Sequence, residues 1–190
     1  MKRMVQKGVL SLLVLAMAIT PALAASSFPD VAEVAEYSEA MAYLKETGIM
    51  CGDDKGNFNP DKTVTRAEMA VILCNMLGEA ENLTADGSVF TDVPANHWAN
   101  PYVVRVADLG LVTGYGNGRF GPADTVTYEQ ALTMLINSYG GGDAAKEQGG
   151  YPDGYIKTAS DSGLSQNVFA QKGDALMRWQ VAMILYNTFR

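Results

Sequence analysis

The chain has 190 residues, 48% of them apolar and only 18% charged, which is globular usage, since disorder needs few apolar residues and high charge. Lys plus Arg number 14 against 21 Asp plus Glu, a net charge of −7, so nonspecific attraction to a polyanion is weak, and nucleic acid and anionic membrane are poor partners. One histidine and two cysteines leave almost nothing from which to build a soft metal site or a His-dependent catalytic centre.

Residues 1–24 carry Lys2, Arg3 and Lys7, an apolar run from Gly8 to Ile19, and then Ala22-Leu23-Ala24. This is the pattern of a secretory signal peptide with a small-x-small cleavage site, and the apolar run is too short for a membrane span of ~20 residues. Cleavage after Ala24 is expected to leave an acidic exported product, residues 25–190, with no transmembrane anchor. In an oxidising compartment Cys51 and Cys74 have two readings. They pair as a disulfide, or Cys74, inside the run Met69-Ala70-Val71-Ile72-Leu73-Cys74, is a small buried side chain.

An internal repeat follows. Phe28-Pro29-Asp30-Val31 returns as Phe90-Thr91-Asp92-Val93, Gly56-Asn57-Phe58-Asn59-Pro60 as Gly118-Arg119-Phe120-Gly121-Pro122, and Thr63-Val64-Thr65 as Thr125-Val126-Thr127, all at an offset of 62 residues. A shortened third copy is read from Tyr151-Pro152-Asp153, with Gly163-Leu164, Phe169 and an apolar tail from Val181 to Phe189. The glycine-flanked stretch 140–150 reads as a linker. These boundaries give a signal peptide at 1–24 and repeats at 25–82, 83–142 and 143–190.

Each copy has helical periodicity. Met41 and Leu44, then Val103 and Val106, mark a first helix that ends at Gly48 or Gly110. Met69, Ile72, Leu73 and Met76 mark one face of a second helix, matched by Ala131, Met134 and Leu135 and by Val181, Ile184 and Leu185. The predicted fold is all-α: three helix-loop-helix units, none able to bury its own face, that must pack together. Thr65-x-x-Glu68 is a capping box and Thr127-x-x-Gln130 the same device. Asp30, Asp92 and Asp153 recur ahead of the first helices, where capping or turn closure is expected first and polar ligand contact second.

The opening Phe-x-Asp-Val, the His97-Trp98-Ala99 triplet, the run Gly110-Leu111-Val112-Thr113-Gly114-Tyr115-Gly116-Asn117-Gly118-Arg119-Phe120-Gly121-Pro122 and the tetrapeptide Thr65-Arg66-Ala67-Glu68 together resemble the S-layer homology (SLH) domain family. The resemblance covers the chain after residue 24. It implies a pseudo-threefold helical module that attaches exported proteins to the bacterial cell envelope. Its clefts between repeats would bind secondary cell-wall polysaccharide, often bearing pyruvate ketals, without catalysis and without a cofactor. With signal peptide and module filling the sequence, any passenger is expected to be a separate protein.

The residues support a site from below. A cation in the first helical turn opposes the helix dipole, so Arg66 argues for an anion there, where free amides and a forked guanidinium would suit a sugar-borne carboxylate. The alternative is a surface arginine paired with a nearby Asp or Glu. Arg178 inherits the same position in Met177-Arg178-Trp179-Gln180, where the capping box is lost, and Tyr128 replaces it in the second copy, able to stack on a sugar but not to pair with an acid. Trp98 has Glu36 as its counterpart in the first copy. No copy holds both the arginine and a tryptophan at the place of Trp98, so a cleft between copies would have to combine Trp98 with Arg66 or Arg178. Packing between repeats is the other reading of Trp98. Asp30, Asp92, Gly116 and Gly118 complete the expected glycan-contacting set.

Catalysis has no support. An EF-hand loop beginning at Asp53 would need glycine where Phe58 stands, so no metal is expected. No spacing singles out a carboxylate pair for glycoside hydrolysis, and His97 has no nucleophile nearby in sequence. The alternative function is a structural module with degenerate glycan sites that pairs with another envelope protein.

Overall fold

The computed structural model describes residues 28–32, 35–81, 83–85, 87 and 90–190, so the expected signal peptide lies outside the described residues. Among these residues the regular structure is helical: α1 (Ser38–Glu46), α2 (Arg66–Met76), α3 (Asn100–Asp108), α4 (Tyr128–Ser138), α5 (Gly142–Glu147), α6 (Asp153–Asp161) and α7 (Arg178–Thr188). None is long and apolar enough to cross a membrane. The helices α1, α3 and α6 open three units, and α2, α4 and α7 close them.

The first helices stop for one physical reason. Gly48, Gly110 and Gly163 take φ of 72°, 71° and 80°, a left-handed turn that costs a glycine little, and the next residue, Ile49, Leu111 or Leu164, folds back into the core. The second helices begin from extended residues. At α2 the Thr65 hydroxyl accepts from the Glu68 N–H (3.2 Å), while the Glu68 carboxylate accepts from the Thr65 N–H (2.8 Å). At α4 the Thr127 hydroxyl is buried without a partner, and what remains of the box is a 3.4 Å contact from the Thr127 N–H to the Gln130 side-chain oxygen. At α7 Met177 has no hydroxyl, yet its N–H still donates to Gln180 Oε1 at 2.9 Å, so half of the device persists in a repeat where none was expected.

The units close into a ring. Val64, Val126 and Leu176, all fully buried, sit at the centre, and their backbones bond cyclically: Val64 N–H to the Leu176 carbonyl (3.0 Å), Leu176 N–H to Val126 (3.1 Å) and Val126 N–H to Val64 (2.8 Å). One step outward the pattern recurs, as the first helical amides of Arg66, Tyr128 and Arg178 donate to the carbonyls of Asp124, Asp174 and Lys62. Each second helix therefore has its first N-terminal amide satisfied by the loop of the following unit.

Helix packing follows the same rotation. The main pairs are α2 with α3, α4 with α6 and α7 with α1, so each first helix lies on the second helix of the unit before it. The apolar faces read from periodicity are the buried ones: Met41, Leu44, Met69, Leu73, Val103, Val106, Leu135, Val181, Ile184 and Leu185 are all inaccessible to solvent. Each such Leu or Ile side chain contributes about 1.5–3 kcal/mol.

Three expectations need correction. Stretch 140–150 is not a bare linker, because it carries α5, packed on α4 and α6 with Ala145 fully buried. Tyr151-Pro152-Asp153 does not repeat the Phe-x-Asp-Val opening. Asp153 is the first residue of α6, exposed and paired with Lys172 at 3.2 Å, so it stands where Asn100 stands in α3. Phe169 likewise does not repeat Phe58 and Phe120, which are fully buried against Phe28 and Phe90; it is 77% exposed.

Candidate functional site

A solvent-open cavity of about 210 Å³ lies where the three units meet around α2. Val71 and Ile72 of α2 form its apolar floor, with Met50 and Cys51 from the loop after α1, Trp98 from the second unit and Arg178 from the third. Trp98 is 60% exposed, its indole stacked on His97 at 5.8 Å, so it is not a core residue; it presents a free aromatic face.

Arg178 is held by the neighbouring loop. Its Nε donates to the Phe58 carbonyl (2.7 Å), its Nη2 to the Cys51 carbonyl (3.0 Å), and the guanidinium lies 4.7 Å from the centre of the Phe58 ring. Burial lowers its pKa, and the carboxylates of Glu68, Asp30 and Asp53 oppose that, so the group stays cationic. Two carbonyls fix the fork and leave its remaining N–H donors for an acceptor in the cleft. Glu68 lies beside it, its two oxygens engaged by Thr65 and by the Lys62 ammonium at 2.8 Å. Burial alone would raise the Glu68 carboxyl, but the bonds from Lys62 and Thr65 outweigh it and hold the pKa below the ordinary value. Asn75 completes the wall, with its Nδ2 donating to the Ile49 carbonyl at 3.3 Å. The arrangement can stack a sugar ring on Trp98 and offer a cation to an acidic substituent.

Arg66 makes the same two bonds one unit on, Nε to the Phe120 carbonyl (2.8 Å) and Nη2 to the Thr113 carbonyl (2.9 Å). It is only 3% exposed, packed against the rings of Phe120 (4.6 Å) and Tyr115 (4.9 Å). It is neither the surface arginine of the simple alternative nor a cation beside free amides, because the amides of Arg66 and Ala67 already donate to the Asp124 and Pro122 carbonyls. Tyr128 is 5% exposed and offers no ring face to a ligand.

Asp30 and Asp92 close turns. Asp30 accepts from the Phe58 and Asn59 amides (2.8 and 2.7 Å), and Asp92 from those of Phe120 and Gly121 (2.8 Å each), tying each repeat's opening to its own loop. Burial works against the Asp92 charge, and the two amides nevertheless hold its pKa below the ordinary carboxylate value. Gly116 and Gly118 are exposed loop residues with φ of 83° and 75°; the Gly118 carbonyl accepts from the Thr91 N–H at 2.8 Å. Cys51 and Cys74 are not bonded to one another: Cys51 is exposed in the cleft, and Cys74 is buried, its thiol pushed up to about 11 by burial.

The sequence left several cleft residues unnamed. Asn75 was findable as the polar residue in the apolar run of α2. Met50 and Cys51 had no signal, since their place depends on the turn after Gly48. A second groove, of about 250 Å³, is lined by Glu36, Tyr37, Asn167, Phe169, Trp179 and Met183, and it occupies the equivalent position between α7 and α1.

The fold and its clefts thus define a class, a closed ring of three helix-loop-helix units with ligand-sized clefts at their junctions. Two stretches, residues 27–70 and 89–132, match the S-layer homology domain. The chain is similar to a cell surface protein of Thermoanaerobacter kivui, 35% identical over 165 residues, covering 85% of this chain and 21% of that protein. It is also similar to a surface-layer 125 kDa protein of Lysinibacillus sphaericus (34% identical; 65% of this chain, 10% of that protein) and to a middle cell wall protein of Brevibacillus brevis (27% identical; 97% and 18%). The chain spans about a fifth or less of the length of these relatives.

Proposed function

We propose that this chain is a non-catalytic, cell-wall-associated module at the cell surface that binds secondary cell-wall polysaccharide, and that the Trp98–Arg178 cleft is its working site. The observation that carries the reading is that one open cleft holds an exposed indole and an anchored guanidinium drawn from different repeats. An indole face suits the apolar side of a pyranose, and a forked cation suits a sugar-borne carboxylate such as a pyruvate ketal. The similarity to surface-layer and cell wall proteins supports an envelope location, and residues 143–190 act in this reading as a third, degenerate SLH repeat.

The test is retention of residues 25–190 on purified cell-wall sacculi, with and without the polysaccharide stripped. Binding is expected to vanish on stripped walls and to fall by on the order of 2 kcal/mol or more in Arg178→Ala, the loss for a desolvated charge pair. Binding that survives stripping would refute the glycan reading and favour a protein partner. The observation on that side is the groove around Trp179 with Phe169 at its rim, 77% exposed.

A further inference from the structure

The two arginines that follow the extended cap residues stand in matching frames, so the chain supplies its own comparison. Each donates Nε and Nη2 to the same pair of loop carbonyls, Phe58 and Cys51 for Arg178, Phe120 and Thr113 for Arg66. Each lies against the phenylalanine whose carbonyl it binds. Yet Arg178 reaches an open cavity, whereas Arg66 is 3% exposed.

The difference comes from two loop positions. The turns themselves are alike, with Asp53 N–H donating to the Asn57 carbonyl and Tyr115 N–H to the Arg119 carbonyl, both at 2.8 Å. In the first loop Asp53 curls into its own turn, accepting from the amides of Lys55 and Asn57 and from Asn59 Nδ2 (3.0 Å). In the second loop Tyr115 turns its ring toward Arg66, 4.9 Å from the guanidinium carbon, and hydrogen-bonds to Asp124. Asn59 and its counterpart Gly121 share a left-handed backbone, φ 57° and 74°, so backbone freedom alone does not demand glycine there. Space does: a Cβ on Gly121 would meet the Tyr115 ring at 2.6 Å and run into the Asp124 carboxylate. The pair Asp53 and Asn59 leaves its arginine uncovered, and the pair Tyr115 and Gly121 covers it.

We propose that the second unit holds a closed copy of the acidic-sugar site, with Arg66 as its cation and Tyr115 as the cover that keeps it from ligand, so that Tyr115 and Gly121 set how many clefts of the ring accept an acid. This rests on the glycan reading above. The exposed Tyr151 ring precedes α6 as Trp98 precedes α3, and from that matching position it would supply the aromatic wall. Opening the site requires Tyr115 to leave the guanidinium, and a cleft open a tenth of the time binds and reacts about tenfold more weakly than one always open.

The experiment compares the wild-type protein with Tyr115→Ala and Tyr115→Ser, which remove the covering ring and leave Gly121 in place. Arginine modification by phenylglyoxal, followed by mass spectrometry, uses Arg178 as the internal standard, and circular dichroism confirms the fold. In the wild type Arg66 is expected to react at least about tenfold more slowly than Arg178, and in both variants within about threefold of it. Calorimetric titration with a methyl glycoside carrying a 4,6-pyruvate ketal is expected to rise from one equivalent per chain to two. Equal reactivity of the two arginines in the wild type, or an Arg66 still protected in folded variants, overturns the closure. An uncovered Arg66 with stoichiometry still at one overturns the second site. A probe that binds none of the proteins refutes the glycan function itself, and the modification rates then decide the closure alone.

Discussion

Replacing Arg66 by alanine should destabilise the protein far more than a substitution at a ligand-facing residue. The side chain makes a buried bond to the Phe120 carbonyl and a partly buried one to Thr113. A hydrogen bond from a charged donor contributes about 1.5–3 kcal/mol; the upper part of that range suits the Phe120 bond and the lower part the Thr113 bond, where water reaches an exposed residue. The contacts with the Phe120 and Tyr115 rings add about 0.5–1 kcal/mol. The sum is about 5 kcal/mol, a large share of the roughly 5–15 kcal/mol that holds a domain together. At about 2–4 °C per kcal/mol for a chain of this size, Tm should fall by about 10–20 °C. Urea denaturation of residues 25–190 measures it directly. Arg66→Lys should recover less than half, because an ammonium is a point charge and cannot span two carbonyls as the fork does. A loss below about 1 kcal/mol for Arg66→Ala would refute the buried geometry on which this rests.

Trp98→Ala should leave Tm within about 2 °C of wild type, since the indole is 60% exposed, while weakening polysaccharide binding by about 1 kcal/mol through the lost stacking surface; a large loss of stability would return Trp98 to the packing role. Thr65→Val should cost about 1 kcal/mol through the lost cap, whereas Thr127→Val should be neutral or stabilising, because the hydroxyl it removes is buried without a partner; equal losses in thermal melts would contradict the difference between the two caps. The Asp53 carboxyl is held at about 2 by bonds from Asn59, Asn57 and Lys55. A depressed carboxyl contributes stability above its unfolded value, and that contribution is lost as pH falls from about 4 through 2. Carboxyl titration by NMR should find Asp53 near 2 in the wild type and higher in Asn59→Gly, which keeps the left-handed backbone and removes the largest cause.

What was legible in the sequence was whatever depends on local pattern. The offset of 62 residues, the apolar faces of five helices and the Thr65–Glu68 cap are set by short-range pattern, and one chain carries enough copies to fix their register. What each face packs against was not legible. Periodicity says that Met69 and Leu73 are buried; it cannot say that α3 of the next unit, rather than α1 of the same one, covers α2. Arg66 shows the consequence. Its amide and guanidinium partners come from residues 113–124, so reasoning confined to its own helix left donors unpaired that the neighbouring loop satisfies. The third copy misled through mimicry, as Tyr-Pro-Asp imitates Phe-x-Asp while belonging to a helix start. The six residues of α5 are too few to show a period. Trp98 and Arg178 could be named as candidates from sequence, but choosing Arg178 over Arg66 as the partner of the indole needed the ring.

The ring places the proposed cleft at a junction closed by some of the longest-range contacts in the fold. Arg178 reaches Phe58 and Cys51 across 120 and 127 residues, and Tyr186 reaches Glu39 across 147 at the same junction; the loop-closure cost grows with the logarithm of that separation. The junction between third and first units is therefore the one that chain connectivity supports least, held by Arg178, by the Val64–Leu176 bond and by α1 on α7. A ligand held between Trp98 and Arg178 bridges the second and third units over the floor of the first and stabilises only the closed ring. At a hundred times its dissociation constant it adds about 2.7 kcal/mol. Native-state hydrogen exchange should show this as a selective slowing of the Val64 and Arg178 amides, which bridge that junction, over the Val126 amide, which bridges the first and second units. Uniform slowing across all three would mean that the ring opens only as a whole, and no slowing at saturating polysaccharide would mean that the ligand sits elsewhere.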